Sequence, residues 1–214
     1  MKSLQIKCSL LLIIVITGMF ALIINHIPLV LSETHVEGHI TQDTVWTLTD
    51  SPFIVIRDIV IEENATLTIE PSVEVRFGGN FSLIVEGKLI AKGTKENPIT
   101  FTSNKLQPNP GDWISVNFTS IQPSRLEYCV IEYARNSITI DKANILITKS
   151  NITSSLQNGV YITGNNSAII SENRIETNLN GIFLDENSSG VAIQYNLICN
   201  NVKKGIYLNG NKTI

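Results

Sequence analysis

Asn158-Gly159-Val160-Tyr161-Ile162-Thr163 returns as Asn180-Gly181-Ile182-Phe183-Leu184-Asp185, and again as Lys204-Gly205-Ile206-Tyr207-Leu208-Asn209. An earlier copy reads Asn136-Ser137-Ile138-Thr139-Ile140-Asp141. Measured from Ser137, Gly159, Gly181 and Gly205, successive copies start at offsets of 22, 22 and 24. A second set of short apolar stretches keeps the same rhythm: Cys129-Val130-Ile131, Ser150-Asn151-Ile152, Asn173-Arg174-Ile175 and Asn196-Leu197-Ile198. Between the two sets lies a third, at Asn144–Ile147, Ser167–Ile170 and Val191–Gln194. Three short strands in every such period describe one coil of a parallel β-helix. A coil cannot bury its apolar face alone; stacking closes the backbone hydrogen bonds and makes a continuous core. Neighbouring coils then lie ~4.8 Å apart. Leucine-rich repeats share the length, but their Leu-x-x-Leu-x-Leu pattern is absent, and so is the helical apolar period of helical repeats.

The composition agrees. The 214 residues include 33 Ile and 22 Asn, with only 16% charged side chains. Ile favours buried strands and Asn favours tight turns, which argues against a helical bundle and against disorder. The net charge of −3 excludes a strongly basic nucleic-acid binder. Three His, three Cys and six Asp leave little material for a catalytic or metal site.

Working outward, the front half fits the scheme less regularly. Ala65–Ile69 and Gly87–Ala91 keep the offset of 22, while Val75–Phe77 and Ile99–Phe101 stand 24 apart. Thr102–Gly111, with Pro108 and Pro110, reads as an inserted loop before Trp113-Ile114-Ser115-Val116 resumes the stack. The expected organisation is a leader over 1–32, an N-terminal cap over 33–52 that covers the first coil, and a right-handed parallel β-helix of six to seven coils over 53–214. The last coil opens at Gly205 with no cap after it, so the natural polypeptide is expected to continue or to dock there on a partner. In the leader, Lys2 and Lys7 precede the apolar run Cys8–Ile24, and Val30-Leu31-Ser32 suits a cleavage site before Glu33. An uncleaved anchor also fits, because Cys8–Leu31 approaches the ~20 residues that span a bilayer. Either way the remainder is exported to the cell surface or secreted, and the membrane is a partner only through this segment.

His39-Ile40, Thr44-Val45-Trp46, Thr66-Leu67-Thr68-Ile69-Glu70-Pro71 and Asn97-Pro98-Ile99-Thr100-Phe101-Thr102 resemble exported right-handed β-helix proteins of the pectin-lyase-like superfold. The Asn-rich coils from Asn136 onward are similar to the repeats of the NosD-type periplasmic family. The resemblance implies an architecture; fold alone does not assign an activity.

Strand alternation assigns faces. With Val160 and Ile162 inward, Thr139, Tyr161, Phe183 and Tyr207 form one outward column, and Asp141, Thr163, Asp185 and Asn209 form a second. Aromatic rings beside hydroxyls and carboxylates suit a polysaccharide-binding strip, with Tyr161, Phe183 and Tyr207 stacking on sugars and Thr163 and Asn209 meeting their hydroxyls. Like residues also stack simply to hold a β-helix together. Both readings stand on the sequence, and a purely structural stalk is the third. Asp141 and Asp185 are the catalytic candidates for the alternative, a polysaccharide lyase or glycoside hydrolase. Two coils separate them by ~10 Å of backbone, which is permissive beside the ~6.5–9.5 Å between the carboxyls of inverting glycosidases, but the surroundings are poor. No second Asp adjoins either one, no Lys or Arg lies in the two columns, and no His follows His39. The calcium-binding Asp cluster and the Gly-His-Gly that the resemblance would imply for lyases and polygalacturonases are missing. Catalytic residues and cofactors are therefore expected to be none.

The NosD likeness implies copper, which prefers His, Met and Cys. Past the leader there is no Met, and His35 and His39 read as the solvated start of the cap; no metal is expected. Cys129 and Cys199 fall three coils apart on opposite faces, ~14 Å at strand spacing, beyond the ~7 Å Cα separation of a disulfide. Two free thiols are expected. Stacked Asn are expected to hydrogen-bond from coil to coil at Asn136, Asn158 and Asn180, and at Asn173 and Asn196. Seven Asn begin Asn-x-Ser/Thr sequons and are glycosylation candidates: Asn64, Asn80, Asn117, Asn151, Asn165, Asn187 and Asn211. Asn165, Asn187 and Asn211 each fall six positions after the repeat Gly, one slot in successive coils, where adjacent glycans would crowd.

Overall fold

The computed structural model describes residues 33–210. The leader expected over 1–32 and the sequon at Asn211 lie outside the described residues. The first coil is β1 (Thr34–Ile40) and β2 (Thr44–Trp46), the second β3 (Phe53–Ile61) and β4 (Thr66–Ile69). Then follow β5 (Glu74–Phe77), β6 (Leu83–Val85) and β7 (Lys88–Lys92), and β8 (Ile99–Ser103), β9 (Val116–Phe118) and β10 (Ser124–Glu127). The fifth and sixth coils are β11 (Cys129–Glu132), β12 (Asn136–Asp141) and β13 (Asn144–Thr148), then β14 (Asn151–Thr153), β15 (Asn158–Thr163) and β16 (Asn165–Ser171). The last strands are β17 (Arg174–Glu176), β18 (Asn180–Leu184), β19 (Ser189–Gln194), β20 (Leu197–Cys199) and β21 (Lys204–Leu208).

Each strand pairs in parallel with its counterpart one coil away, which is the right-handed parallel β-helix read from the repeat. The strands line three faces. Face 1 runs from β5 and β8 to β20, face 2 from β6 and β9 to β21, and face 3 from β2 to β19. β1 and β3 are long enough to turn a corner and serve faces 1 and 2 together, with Thr34–Val36 on Phe53–Val55 and Gly38–Ile40 on Ile59–Ile61. The stack therefore has about eight coils, against the six to seven expected. The difference lies in 33–52, where β1 and β2 join the sheets as a coil of their own.

One register differs from expectation. Val75 pairs with Phe101, and Glu74 with Thr100, so the offset is 26 in place of 24. The slip is even, so every side chain keeps its face, and Val75, Phe77, Ile99 and Phe101 are all buried. The insertion occupies 104–115, where Trp113 crosses beneath to stack on Phe77, with ring centroids 4.0 Å apart and planes at 2°. Its return is pinned by Asp112, which accepts from Lys105 Nζ at 2.6 Å, Ser103 Oγ at 2.8 Å and the Asn109 amide at 2.9 Å. Burial works against ionising Asp112, but these donors outweigh it and hold the carboxyl below its ordinary range.

Corners are where a stack can fail, because the chain leaves the ladder. Tyr128, Lys149, Glu172 and Tyr195 recur at one corner of face 1, and Tyr133, Ser154, Thr177 and Asn200 at the other, all with φ between 49° and 63°. A single left-handed residue bends the strand. The residue after it turns inward and hydrogen-bonds its own neighbours. Cys129, Ser150 and Asn173 donate their amides to Ser150 Oγ, Asn173 Oδ1 and Asn196 Oδ1, each at 3.0 Å. Asn173 Nδ2 donates back to the Ile147 carbonyl at 2.9 Å. The Asn136–Asn158–Asn180 ladder expected from sequence is also present, with Nδ2 to Oδ1 distances of 2.9 Å. A further ladder at the second corner was not read from the sequence: Ser155 N–H donates to Asn178 Oδ1, and Asn178 Nδ2 to the Ile152 carbonyl and to Asn201 Oδ1. Its signal was available, since Asn178 and Asn201 are spaced like Asn173 and Asn196.

Asn178 is wholly buried. Asn178→Ala strands the Ser155 amide and the Ile152 carbonyl, and is expected to cost about 2–3 kcal/mol in chemical denaturation. Asn104→Ala, on the exposed loop, is expected to stay within about 0.5 kcal/mol of the parent.

Candidate functional site

The outward columns of face 2 are assembled by the register of β12, β15, β18 and β21. Thr139 pairs with Tyr161, Tyr161 with Phe183 and Phe183 with Tyr207. Gly159 and Gly181 make this approach feasible: a Cβ on Gly159 would sit 2.7 Å from the Gly181 carbonyl oxygen, and one on Gly181 2.4 Å from that of Gly205. Tyr161 and Phe183 stack with centroids 5.5 Å apart and planes at 26°. Phe183 and Tyr207 are 4.9 Å apart but tilted by 52°. Ring faces in the first pair are thus turned on each other, and edges meet solvent. The ring of Tyr207, 37% exposed, is the accessible one. With Phe183 it lines an open depression whose other walls are Asn180, Lys203 and Lys204. Neither lysine was among the ligand candidates read from sequence, where Lys204 figured only as the repeat residue in the slot that Asn136, Asn158 and Asn180 fill in earlier coils.

The polar column is equally well ordered. Asp141 pairs with Thr163. Asp185 Oδ2 accepts from the Tyr161 hydroxyl at 2.9 Å and from Thr163 Oγ1 at 3.4 Å, and Oδ1 accepts from the Glu186 amide at 2.6 Å. The Tyr161 hydroxyl first, and the Glu186 amide next, lower the pKa of Asp185 below its ordinary value, with Asn209 and Thr163 adding to the effect. Burial, and then the hydrogen bond to Asp185, raise Tyr161 above the ordinary phenol. A general acid needs the opposite shift at its carboxyl. The bond also locks Tyr161 in pitch against the next coil, so Asp185 serves the aromatic column. Asn209 joins through its amide, which donates to the Leu184 carbonyl at 2.8 Å.

The remaining candidates are dispersed. His39 Nδ1 lies 2.5 Å from Glu62 Oε1, and His35 lies beside Glu33, with both histidines on the exposed edge strand β1. Among the described residues no group of three or more His, Cys, Asp or Glu is placed to hold a metal ion. Cys129 is buried and Cys199 half-buried, and both are free. Burial pushes the Cys129 thiol up to about 12. Cys199 faces outward beside Glu176. Of the sequons, Asn64, Asn80, Asn165 and Asn187 are exposed, whereas Asn117 and Asn151 sit within strands. Asn165 pairs with Ser189 and not with Asn187, so the sequons expected in one slot of successive coils are out of step. A longer turn before β19 causes the offset.

A solenoid of parallel strands, with polar and aromatic columns on one flat face, defines the class as a parallel β-helix. Residues 87–214 match the family described as the right handed beta helix region, and residues 38–119 match the pectate-lyase like beta helix domain. The first match covers more than half of the chain, which belongs to the right-handed β-helix family. No curated protein and no solved structure matches it.

Asp185→Asn takes away the charge that helps to raise Tyr161. The phenol is expected to titrate at lower pH than in the parent, while burial keeps it above a free tyrosine. Tyrosinate absorbance, with Tyr161→Phe as the subtraction, measures this; an unchanged titration would show that the two groups do not interact. Peptide-mapped thiol alkylation of the folded protein is expected to label Cys199 and to spare Cys129 until denaturant is added.

Proposed function

We propose that the protein is an exported β-helix module that binds polysaccharide at the Phe183–Tyr207 end of face 2. The observation that carries this is the tilt of the Tyr207 ring against Phe183, in a depression bounded by Asn180, Lys203 and Lys204. A ring face left open next to amide and ammonium donors can stack on the apolar face of a sugar while the donors meet its hydroxyls. Tyr161 has its hydroxyl committed to Asp185 and its ring against Phe183, so it supports the platform from behind. Thr163 and Asn209 border it in the polar column. The Lys2, Lys7 and Cys8–Ile24 pattern supports export to the cell surface or secretion within this reading. The Asn-rich coils keep a likeness to NosD-type repeats within this reading. Binding calls for no cofactor.

A panel of soluble polysaccharides and a glycan array test the reading. The parent is expected to bind at least one glycan. Tyr207→Ala and Phe183→Ala are each expected to weaken that binding about tenfold, roughly the 1.4 kcal/mol of a lost ring contact. Circular dichroism checks that the stack is intact. Absence of any bound sugar, or affinity indifferent to both substitutions, overturns it.

A further inference from the structure

We infer that Asn64 and Asn187 are acceptor sites for N-linked oligosaccharide, and that Asn117 and Asn151 are not. The inference rests on the export reading above, since the donor sugars are met only outside the cytoplasm.

Asn64 and Asn187 occupy the same position of the same turn. In Glu62-Glu63-Asn64-Ala65 the Ala65 amide donates to the Glu62 carbonyl at 2.9 Å, and in Asp185-Glu186-Asn187-Ser188 the Ser188 amide donates to the Asp185 carbonyl at 2.9 Å. Both turns stand at the corner where face 2 passes to face 3, before β4 and β19. Both asparagines are exposed, and neither carboxamide has a hydrogen-bond partner among the described residues. The hydroxyls that complete the sequons belong to Thr66, which is half-exposed, and Ser189, which is exposed and donates to Asn165 Oδ1 at 2.9 Å across the edge of the face. Five coils separate the two turns, on the order of 24 Å at strand spacing, so two glycans would stand clear of one another.

The other sequons lack this combination. Asn117 sits in β9 between Ile84 and Thr139, and Asn151 in β14 between Val130 and Arg174. Both are half-exposed positions on the outward side of a strand paired on both edges, and their Oδ1 atoms are buried without a partner, so neither carboxamide is presented as an asparagine in an exposed turn is. Asn80 is exposed, but its Ser82 is buried. Asn165 Oδ1 already accepts from Ser189 Oγ at 2.9 Å.

In the transfer, Nδ2 of the asparagine attacks the anomeric carbon of a lipid-pyrophosphate-linked oligosaccharide. The new C–N bond forms as the C–O bond to pyrophosphate breaks. One amide proton passes to the transferase's base, and the lipid pyrophosphate departs. No redox partner is needed. Both acceptor asparagines are already exposed in their turns, and at Asn187 only the Ser189 hydroxyl has to leave Asn165.

The test expresses the full chain in a eukaryotic secretory host, once with its own residues 1–32 and once with a substituted signal. Enzymatic release converts each occupied asparagine to aspartate, which peptide mapping reads. Asn64 and Asn187 are expected to be converted and Asn117 and Asn151 to remain asparagine. Asn64→Gln and Asn187→Gln are each expected to remove the mass of one glycan while leaving the folded stack unchanged. Either asparagine left unmodified in the secreted chain overturns the assignment, as does occupancy of Asn117 or Asn151 in folded product. If only the chain with the substituted signal is secreted and modified at Asn64 and Asn187, the export reading fails and the acceptor assignment stands.

Discussion

Everything in this molecule depends on matching each backbone N–H to a carbonyl one coil away. Along the faces the parallel ladders do this automatically. At the corners they cannot, because a left-handed residue such as Glu172 or Thr177 turns the amides out of line. A buried amide without an acceptor costs about 1–3 kcal/mol, and several coils would multiply that. The chain answers with side chains of the right length: the carboxamide of an inward Asn reaches the corner of the preceding coil, its oxygen accepting from the amide after the left-handed residue and its nitrogen donating to a carbonyl before it. Ser150 does this in part, and Asn173, Asn178, Asn196 and Asn201 do it fully. The abundance of Asn is therefore the chemistry of the corners.

The same stacking rule shapes the candidate site. Because each outward residue stands directly above its counterpart, a repeated aromatic becomes a pile of rings that face each other. Stacking between Tyr161 and Phe183 stabilises the coils, and consumes the ring faces that a sugar would need. Ring faces come free where repetition weakens. Tyr207 tilts away from Phe183, and lysine replaces asparagine in the neighbouring slot.

The period, the inward and outward faces and two of the Asn ladders were legible from residues alone. They follow from alternation and from side-chain identity, which repeat with the coil. Apart from the Asn178–Asn201 ladder, what escaped were quantities that do not repeat. The longer offset between Val75 and Phe101 hides inside an irregular coil, and parity protects the core from it. The turn before β19 is longer than its counterpart before β16, so the sequons at Asn165 and Asn187 fall out of step although each follows its glycine by six. Aromatic pitch is likewise invisible in a string of residue types.

The sequence by itself determined that the chain coils in units of nearly constant length, with Ile filling the interior and Asn marking the bends, because burial and turn chemistry are properties of single residues. Only the tertiary structure decided which ring faces stay open, which asparagines stand free in turns and which carboxylate is held by a tyrosine. Those outcomes depend on the relative phase of adjacent coils. Phase is set by how far each corner advances the chain, which is a property of the stack and of no residue within it.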